Sequence, residues 1–362
     1  MTGPKPKLSV AVVATTAFSG GAEIYIDRLA RGLVGGGAEV VLYGSIPPYS
    51  LPSVELDHGP KWSLRTLPLS VLHFGRDLAT LRSRVSKRHN AFSLHFKREQ
   101  VAFTRELSKH ARVVWTEHGT FPSGPFGSLI GPLYRRASRH AAQIVCVSDV
   151  VRQSIIQHVA DPSKVVVIES AVDDQAPVDR SEARARLGVS HDSRVCVFAG
   201  RLTSKKRPQL AIDAAIAARA TILVAGEGPL FADLSRAYSS NPLVVFLGQV
   251  PSTRDLFAAA DVHLWTSDGD GEGFPTVLLE AARAGTRTVG VTGTNFETMV
   301  IESGGRLAHP VADDIAQRIA TDESSSEARR RRRWLDAHSY EAWLRSYRAV
   351  FLSVESERNR QG

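Results

Sequence analysis

The stretch DGDGEGFPTVLLEAARAG, Asp268 to Gly285, decides how the rest of the chain is read. Pro275 stands at a first-turn position, where a fixed φ favours a helix and the missing N–H costs nothing. Gly285 stands where a helix exits through a left-handed residue, so the spacing predicts a helix over Thr276 to Ala284. The glycine-rich run ahead of it leaves backbone N–H groups at the positive end of the helix dipole, which is an anion seat. Glu272 lies in the loop before that seat, and Glu280 about one and a half turns into the helix. By themselves the two carboxylates fit an ordinary surface equally well, with Glu280 paired to Arg283 and Glu272 as a loop charge.

Working outward, 362 residues suggest two domains, each large enough for its own core. A hydrophobic share of 43% and a charged share of 23% set disordered and fibrous classes aside. The net charge of +8 favours anionic partners such as nucleotides, phosphates, nucleic acid or an acidic membrane surface. Cys146 and Cys196 sit in the apolar runs QIVCVS and RVCVFAG. They read as buried strand residues in a reducing cytoplasm, not as ligands or a disulfide. Lys5 and Lys7 followed by LSVAVVATTAF have the charged-then-apolar look of a secretion signal. The same run leads into a Gly-Gly turn and a helix with Ile26, Leu29, Ala30 and Leu33 on one face, so it is read as a buried parallel strand. No other apolar run approaches the ~18 residues of a membrane span.

Along the chain, VAVVATT, EVVLYGS, AFSLHF, RVVWTEH, QIVCVS and VVVIES read as strands alternating with helical sequence. Residues 47 to 90 are irregular and basic, with an Arg-rich helix expected around Leu78 to Val85. AVDDQAPVDRSEARARLGV breaks the rhythm as an interdomain linker running into a small helix. Then RVCVFAGRL, TILVAGEGP, LVVFLGQV, VHLWTS and TRTVGVT repeat the pattern, and a helical segment with RRRRR at Arg329 to Arg333 ends the chain. The expected fold class is α/β: two doubly wound, Rossmann-like domains facing across a cleft, with ligands at the carboxyl ends of the strands. The expected boundaries are 1–178, 179–340, and a C-terminal helix over 341–362 packing back on the first domain.

GGAE (Gly20 to Glu23), GRLTSKK (Gly200 to Lys206), GEGP (Gly226 to Pro229), FLGQV with AAADVHLWTS (Phe246 to Ser267) and EGFPTVLLEA (Glu272 to Ala281) occur in one order. In that order they resemble the GT-B glycosyltransferases of family 4, which are retaining, nucleotide-sugar-dependent enzymes. The resemblance is dense over residues 196 to 310 and thinner before, where it rests on the Gly-Gly turn, LHF, TEHGT and VSD. It implies that Arg201 and Lys206 hold the donor diphosphate, a task two cations can perform without a metal. Arg207 stands where the family has glycine, which leaves Lys205 as a competitor of Lys206. The resemblance further implies that Glu280 accepts from the ribose hydroxyls and that the backbone at Val250 reads the base. Glu272, with the backbone around Gly273, Phe274, Pro275 and Thr276, faces the donor sugar and phosphate. His118 reaches the sugar from the first domain, and Gly20 and Gly21 let backbone N–H groups approach phosphate or acceptor. His95 is the weaker histidine, a core residue or an acceptor-facing one.

The implied reaction moves a hexose-type unit from a nucleoside diphosphate sugar to an acceptor hydroxyl with retained configuration. Asp268 and Asp270 have the Asp-x-Asp form that holds a divalent ion in another glycosyltransferase fold, but are read here as loop polarity. The expectation is no metal and no bound cofactor. A GT-B-fold nucleotide-sugar epimerase is the alternative enzyme. A nucleic-acid-binding protein is the alternative outside catalysis, motivated by RRRRR and by RSRVSKRH (Arg82 to His89). Without interleaved aromatic residues those runs make no stacking platform, and no nucleic-acid partner is expected. Lys61 to Arg98 interleaves basic residues with Trp62, Leu64, Leu67, Leu69, Leu72 and Phe74. Docking on an anionic membrane, at its inner cytoplasmic face, and a plain solvated face are both open for it.

Overall fold

A computed structural model describes residues 8–16, 20–47, 49–56, 62, 65–86, 88–171, 176 and 178–352. Residues up to Ser170, joined by those from Tyr340 onward, form one compact unit, and Ala171 to Ser339 form a second. The chain therefore divides at Ser170 and Ser339, where the sequence reading placed boundaries after residues 178 and 340. Much of the linker (172–175 and 177) lies outside the described residues, as do Lys5, Lys7, Lys61, Leu64 and Lys87.

The first unit runs β1 (Ser9–Thr15), α1 (Gly21–Gly35), β2 (Glu39–Ser45), β3 (Ser53–Val54), α2 (Leu67–Arg84), β4 (Ala91–Leu94), α3 (Lys97–Leu107), β5 (Arg112–Glu117), α4 (Gly124–Ser138), β6 (Gln143–Cys146), α5 (Asp149–Ile155) and β7 (Val165–Val167). Its seven strands are parallel and lie in the order β3-β2-β1-β4-β5-β6-β7. β1 is buried along nearly its whole length because β2 and β4 flank it and helices cover both sheet faces. That burial explains the uninterrupted apolar run that resembled a secretion signal. The helix expected near Leu78–Val85 is instead the 18-residue α2. Pro68 sits in its first turn at no hydrogen-bond cost. Only Leu67, Asp77 and Leu81 of α2 are buried, so no long apolar period marked it in the sequence.

The second unit runs α6 (Arg180–Leu187), β8 (Val195–Ala199), α7 (Pro208–Ala217), β9 (Thr221–Ala225), α8 (Phe231–Ala237), β10 (Val244–Gly248), α9 (Arg254–Ala259), β11 (Val262–Trp265), α10 (Thr276–Arg283), β12 (Arg287–Val291), α11 (Glu297–Glu302), β13 (Arg306–Ala308), α12 (Ala312–Ala320) and α13 (Ser325–Ala337). Six parallel strands follow the order β10-β9-β8-β11-β12-β13. Cys196, Ile222, Val224, Val262, Leu264 and Val289 fill one face of the sheet against α7 and α12. Cys146 and Cys196 are both buried and unbridged. β13 was not read from the sequence, since three residues after Gly304 and Gly305 carry no period. α10 ends as expected, with Gly285 at φ +79°.

α14 (Tyr340–Leu352) returns to the first unit and lies on α1. A Cβ at Gly32 would stand 2.4 Å from the end of the Leu344 side chain, so the two helices approach closely there and a larger residue would make Leu344 shift. Trp343, Tyr347 and Phe351 are buried, and Arg348 donates to the Gly36 carbonyl at 2.7 Å.

α13 begins with a capping box between Ser324 and Glu327, and Glu327 also pairs with Arg306 of β13. Burial raises the Glu327 carboxyl, but bonds from Arg306 and Ser324 outweigh it and hold the group down at about 2. A depressed carboxylate contributes stability above its unfolded value and loses it as pH falls toward the folded value. In urea titrations, Glu327→Gln is expected to cost about 3 kcal/mol at pH 7, with the difference from wild type shrinking between roughly pH 4.5 and 2. A constant difference across that range would refute the assignment.

Candidate active site

Both sheets reverse direction beside their first strand, between β1 and β4 in one unit and between β8 and β11 in the other. At such a point the loops leaving the two strands diverge and open a crevice at the carboxyl ends. Gly20, Gly21 and His118 lie in the first unit, and the remaining expected residues in the second.

In the second unit the loop after β8 carries Arg201, Lys205, Lys206 and Arg207, and the loop after β11 carries Thr266 to Pro275. Lys206 forms an ion pair with Glu272, and Ser267 donates to the same Glu272 oxygen at 3.0 Å. The Glu272 side chain is 13% exposed and that of Lys206 31%, so this pair is the inner one. Lys205 pairs outward with Asp270, both well exposed. Of the two competing lysines, the structure therefore sets Lys206 against Glu272. Asp268 accepts from the Asp270 N–H at 2.9 Å, which ties the Asp-x-Asp sequence into its own turn.

The two loops are joined by a reciprocal clasp. The Arg207 guanidinium donates to the carbonyls of Thr266 (2.6 Å) and Ser267 (3.0 Å). The Thr266 hydroxyl lies 2.9 Å from the carbonyls of both Lys206 and Arg207. Arg207 takes φ +49°, the left-handed region. That conformation explains the family's glycine, and the clasp offsets the strain an arginine meets there, about 1–2 kcal/mol.

Glu280 accepts from the Thr253 hydroxyl at 2.6 Å, not from Arg283 as in the surface alternative. Val250 and Val277 pack on one apolar cluster, which brings the loop after β10 beside α10. Pro275 is the residue before α10, so Thr276 opens the helix, and no side chain caps its first turn. Gly273 is buried and Phe274 partly so, its ring 6.0 Å from that of His338.

In the first unit Gly20 is the extended residue that precedes α1, and Gly21 is exposed at its start. His118 follows β5 and is half-buried. Its Nε2 is 3.0 Å from Nδ1 of His95, and the Tyr25 ring meets it edge-on at 4.9 Å. Behind it, Glu117 is paired with Lys97 and accepts from Tyr134 at 2.8 Å.

A family model for Glycosyltransferase Family 4 matches residues 19–176, and one for glycosyl transferases group 1 matches residues 179–334. Between them the two glycosyltransferase models cover both units and most of the chain. D-inositol 3-phosphate glycosyltransferases of Mycobacterium bovis and Mycobacterium tuberculosis are 29% identical over 249 residues, 60% of this chain and 51% of theirs. The chain thus spans about half the length of the curated relatives it matches. Anabaena HepE, solved with UDP and glucose, is 19% identical with TM-score 0.75, covering 96% of this chain and 100% of its own. Sucrose-phosphate synthase from Thermosynechococcus elongatus is 17% identical with TM-score 0.76, covering 96% and 100%. These structures share the GT-B fold.

Thr253, Thr266, Ser267 and Tyr25 were given no role in the sequence reading, and Arg207 was named there only for standing where the family has glycine. A signal existed for Arg207: the proline after it denies that position the ordinary helical region. Thr266 bonds to a loop about sixty residues away and Ser267 to Glu272 five residues on in its own irregular loop, and no local period records either. Arg207→Ala keeps the strained backbone and removes the clasp, whereas Arg207→Gly removes both. In urea denaturation the alanine variant is expected to be less stable than the glycine variant by about 1 kcal/mol. Equal midpoints would remove strain from the account.

Proposed function

We propose that the chain transfers a hexose-type unit from a nucleoside diphosphate sugar to an acceptor hydroxyl, with retained anomeric configuration. The observation that carries this reading is the Lys206–Glu272 pair where the second sheet reverses. A donor diphosphate is a stronger partner for Lys206 than one carboxylate is, because it offers several charged oxygens. Its arrival releases Glu272 toward the sugar hydroxyls while Ser267 keeps the carboxylate in place. Arg201 supplies the second cation. Glu280, already aligned by Thr253, takes the ribose diol, and the backbone at Val250 faces the base. The amides of Gly273, Phe274 and Thr276 meet phosphate or sugar at the positive end of α10. His118, with Gly20 and Gly21, serves the sugar and acceptor side. Attack comes from the face the leaving group departs, and the diphosphate takes the acceptor proton. The UDP-glucose complex of HepE supports a nucleotide-sugar donor, and the D-inositol 3-phosphate glycosyltransferases support glycosyl transfer.

Two cations at the diphosphate make a metal unnecessary in this reading. In EDTA-containing buffer, at least one of UDP, ADP and GDP is expected to raise the melting temperature, since a ligand at a hundred times its Kd adds about 2.7 kcal/mol. Glu280→Ala should weaken that nucleotide by roughly 1.5–3 kcal/mol, about ten- to a hundredfold, with the fold intact. No shift with any nucleotide refutes the donor reading. A shift that needs magnesium or manganese refutes only the metal-independent part.

We also infer an anionic membrane surface as the partner of α2. Leu69, Val71, Leu72 and Phe74 are exposed on its first two turns, Leu72 at 78%. Arg65, Arg76, Arg84 and Arg88 are exposed around them. The structure narrows the segment read from the sequence, because Lys97 and Arg98 are drawn inward to Glu117 and Asp77, and Arg82 is bidentate to Glu106. Among the described residues no helix is long and apolar enough to cross a membrane. Each engaged arginine adds about 1 kcal/mol, so the exposed four suffice for measurable binding. Vesicles with anionic lipid should pellet the protein at low salt, less as salt screens the charges, and not after Leu69→Glu with Leu72→Glu. Equal, negligible pelleting with neutral and anionic vesicles would leave a soluble acceptor.

A further inference from the structure

Two histidines leave neighbouring strands of the first unit side by side. Leu94 of β4 is in register with Trp115 of β5, which sets His95 and His118 just beyond the ends of the pair. Their rings are nearly parallel, 24° apart with centroids 5.2 Å apart, and Nδ1 of His95 is 3.0 Å from Nε2 of His118. The other nitrogen of His95, Nε2, lies 2.9 Å from the Ser93 hydroxyl. His95 is 3% exposed, and burial pushes it down to about 3, so it is a neutral imidazole at physiological pH.

A neutral imidazole has one N–H and one lone pair. With both nitrogens of His95 engaged, the line Ser93–His95–His118 has two consistent arrangements. Either His95 donates to His118 and accepts from Ser93, or both bonds run the other way. A hydroxyl accepts either role. The two give His118 opposite tautomers, and Ser93 selects the first. Its hydroxyl is fully buried with no other side-chain partner among the described residues, so it donates to Nε2 of His95. His95 then donates to Nε2 of His118, whose own N–H sits on Nδ1, turned away from His95. Tyr25 holds the ring from another side, its own hydroxyl bonded to Tyr347 and receiving Trp343 Nε1 at 3.2 Å.

We propose that His95 is a positioning residue that fixes the tautomer and ring plane of His118. It acts through His118, as an orienting partner does for any histidine whose second nitrogen has work to do. The inference rests on the reading above that His118 serves the sugar.

The test combines ring NMR with turnover in the full chain. Long-range proton–nitrogen spectra at pH 8 should show His118 as one tautomer in the wild type. In His95→Phe, a ring without nitrogens, the two tautomers should mix. His95→Asn, whose amide lies near the former Nδ1, should restore one of them. Nucleoside diphosphate release from a panel of UDP-, ADP- and GDP-hexoses should fall in kcat by about 10–100-fold in His95→Phe with little change in KM, and recover in His95→Asn. Mixed tautomers in the wild type overturn the proposal even if His95→Phe does not fold. So does normal turnover in His95→Phe where His118→Ala is inactive. Normal turnover in His118→Ala instead removes the role of His118, and the positioning role with it.

Discussion

The second unit depends on the clasp between the loops that follow β8 and β11. A doubly wound sheet opens a crevice where its strand order reverses, but an open crevice also leaves two loops without strand neighbours. Arg207 and Thr266 close that gap with bonds running in both directions, side chain to opposite backbone. Each bond is individually worth about 1 kcal/mol or somewhat more with a charged donor. Their joint effect is geometric, because they set Lys206 and Glu272 on facing sides of the same crevice. A left-handed arginine is tolerated there only because its side chain is tied at the far end.

In the first unit the same topology is used with different chemistry. The ends of β4 and β5 present two imidazoles backed by the Lys97–Glu117 pair, and Gly20 and Gly21 lead into α1. α14 matters to this end of the sheet through Tyr25. That residue sits on α1, bonds Tyr347 and Trp343 of α14, and presses its ring on His118. The C-terminal helix therefore contributes to the placement of His118, a candidate site residue more than two hundred positions earlier in the chain.

Much of the architecture was legible in the residues. Buried parallel strands must be apolar on both faces, so VAVVATT, RVVWTEH, TILVAGEGP and VHLWTS stood out as short continuous runs. The Pro275-to-Gly285 punctuation marked α10 to within a residue. β3 and β13 were missed, and α2 was read only over its last two turns. α2 buries one thin stripe and β13 is three residues long, so neither leaves a periodic trace.

For the candidate site, the sequence alone determined which chemical groups are available and which loops carry them, since residue type and distance from a strand end are local properties. It favoured Lys206 over Lys205 only by family spacing, and offered Glu280 as free to pair with Arg283 and His95 as core or acceptor-facing. Only tertiary structure decided these, pairing Lys206 with Glu272, Glu280 with Thr253 and His95 with His118. The physical reason is range. The partners in each pair lie on segments that follow different strands, brought within hydrogen-bond distance by sheet order, and a hydrogen bond made across a sheet leaves no period along the chain.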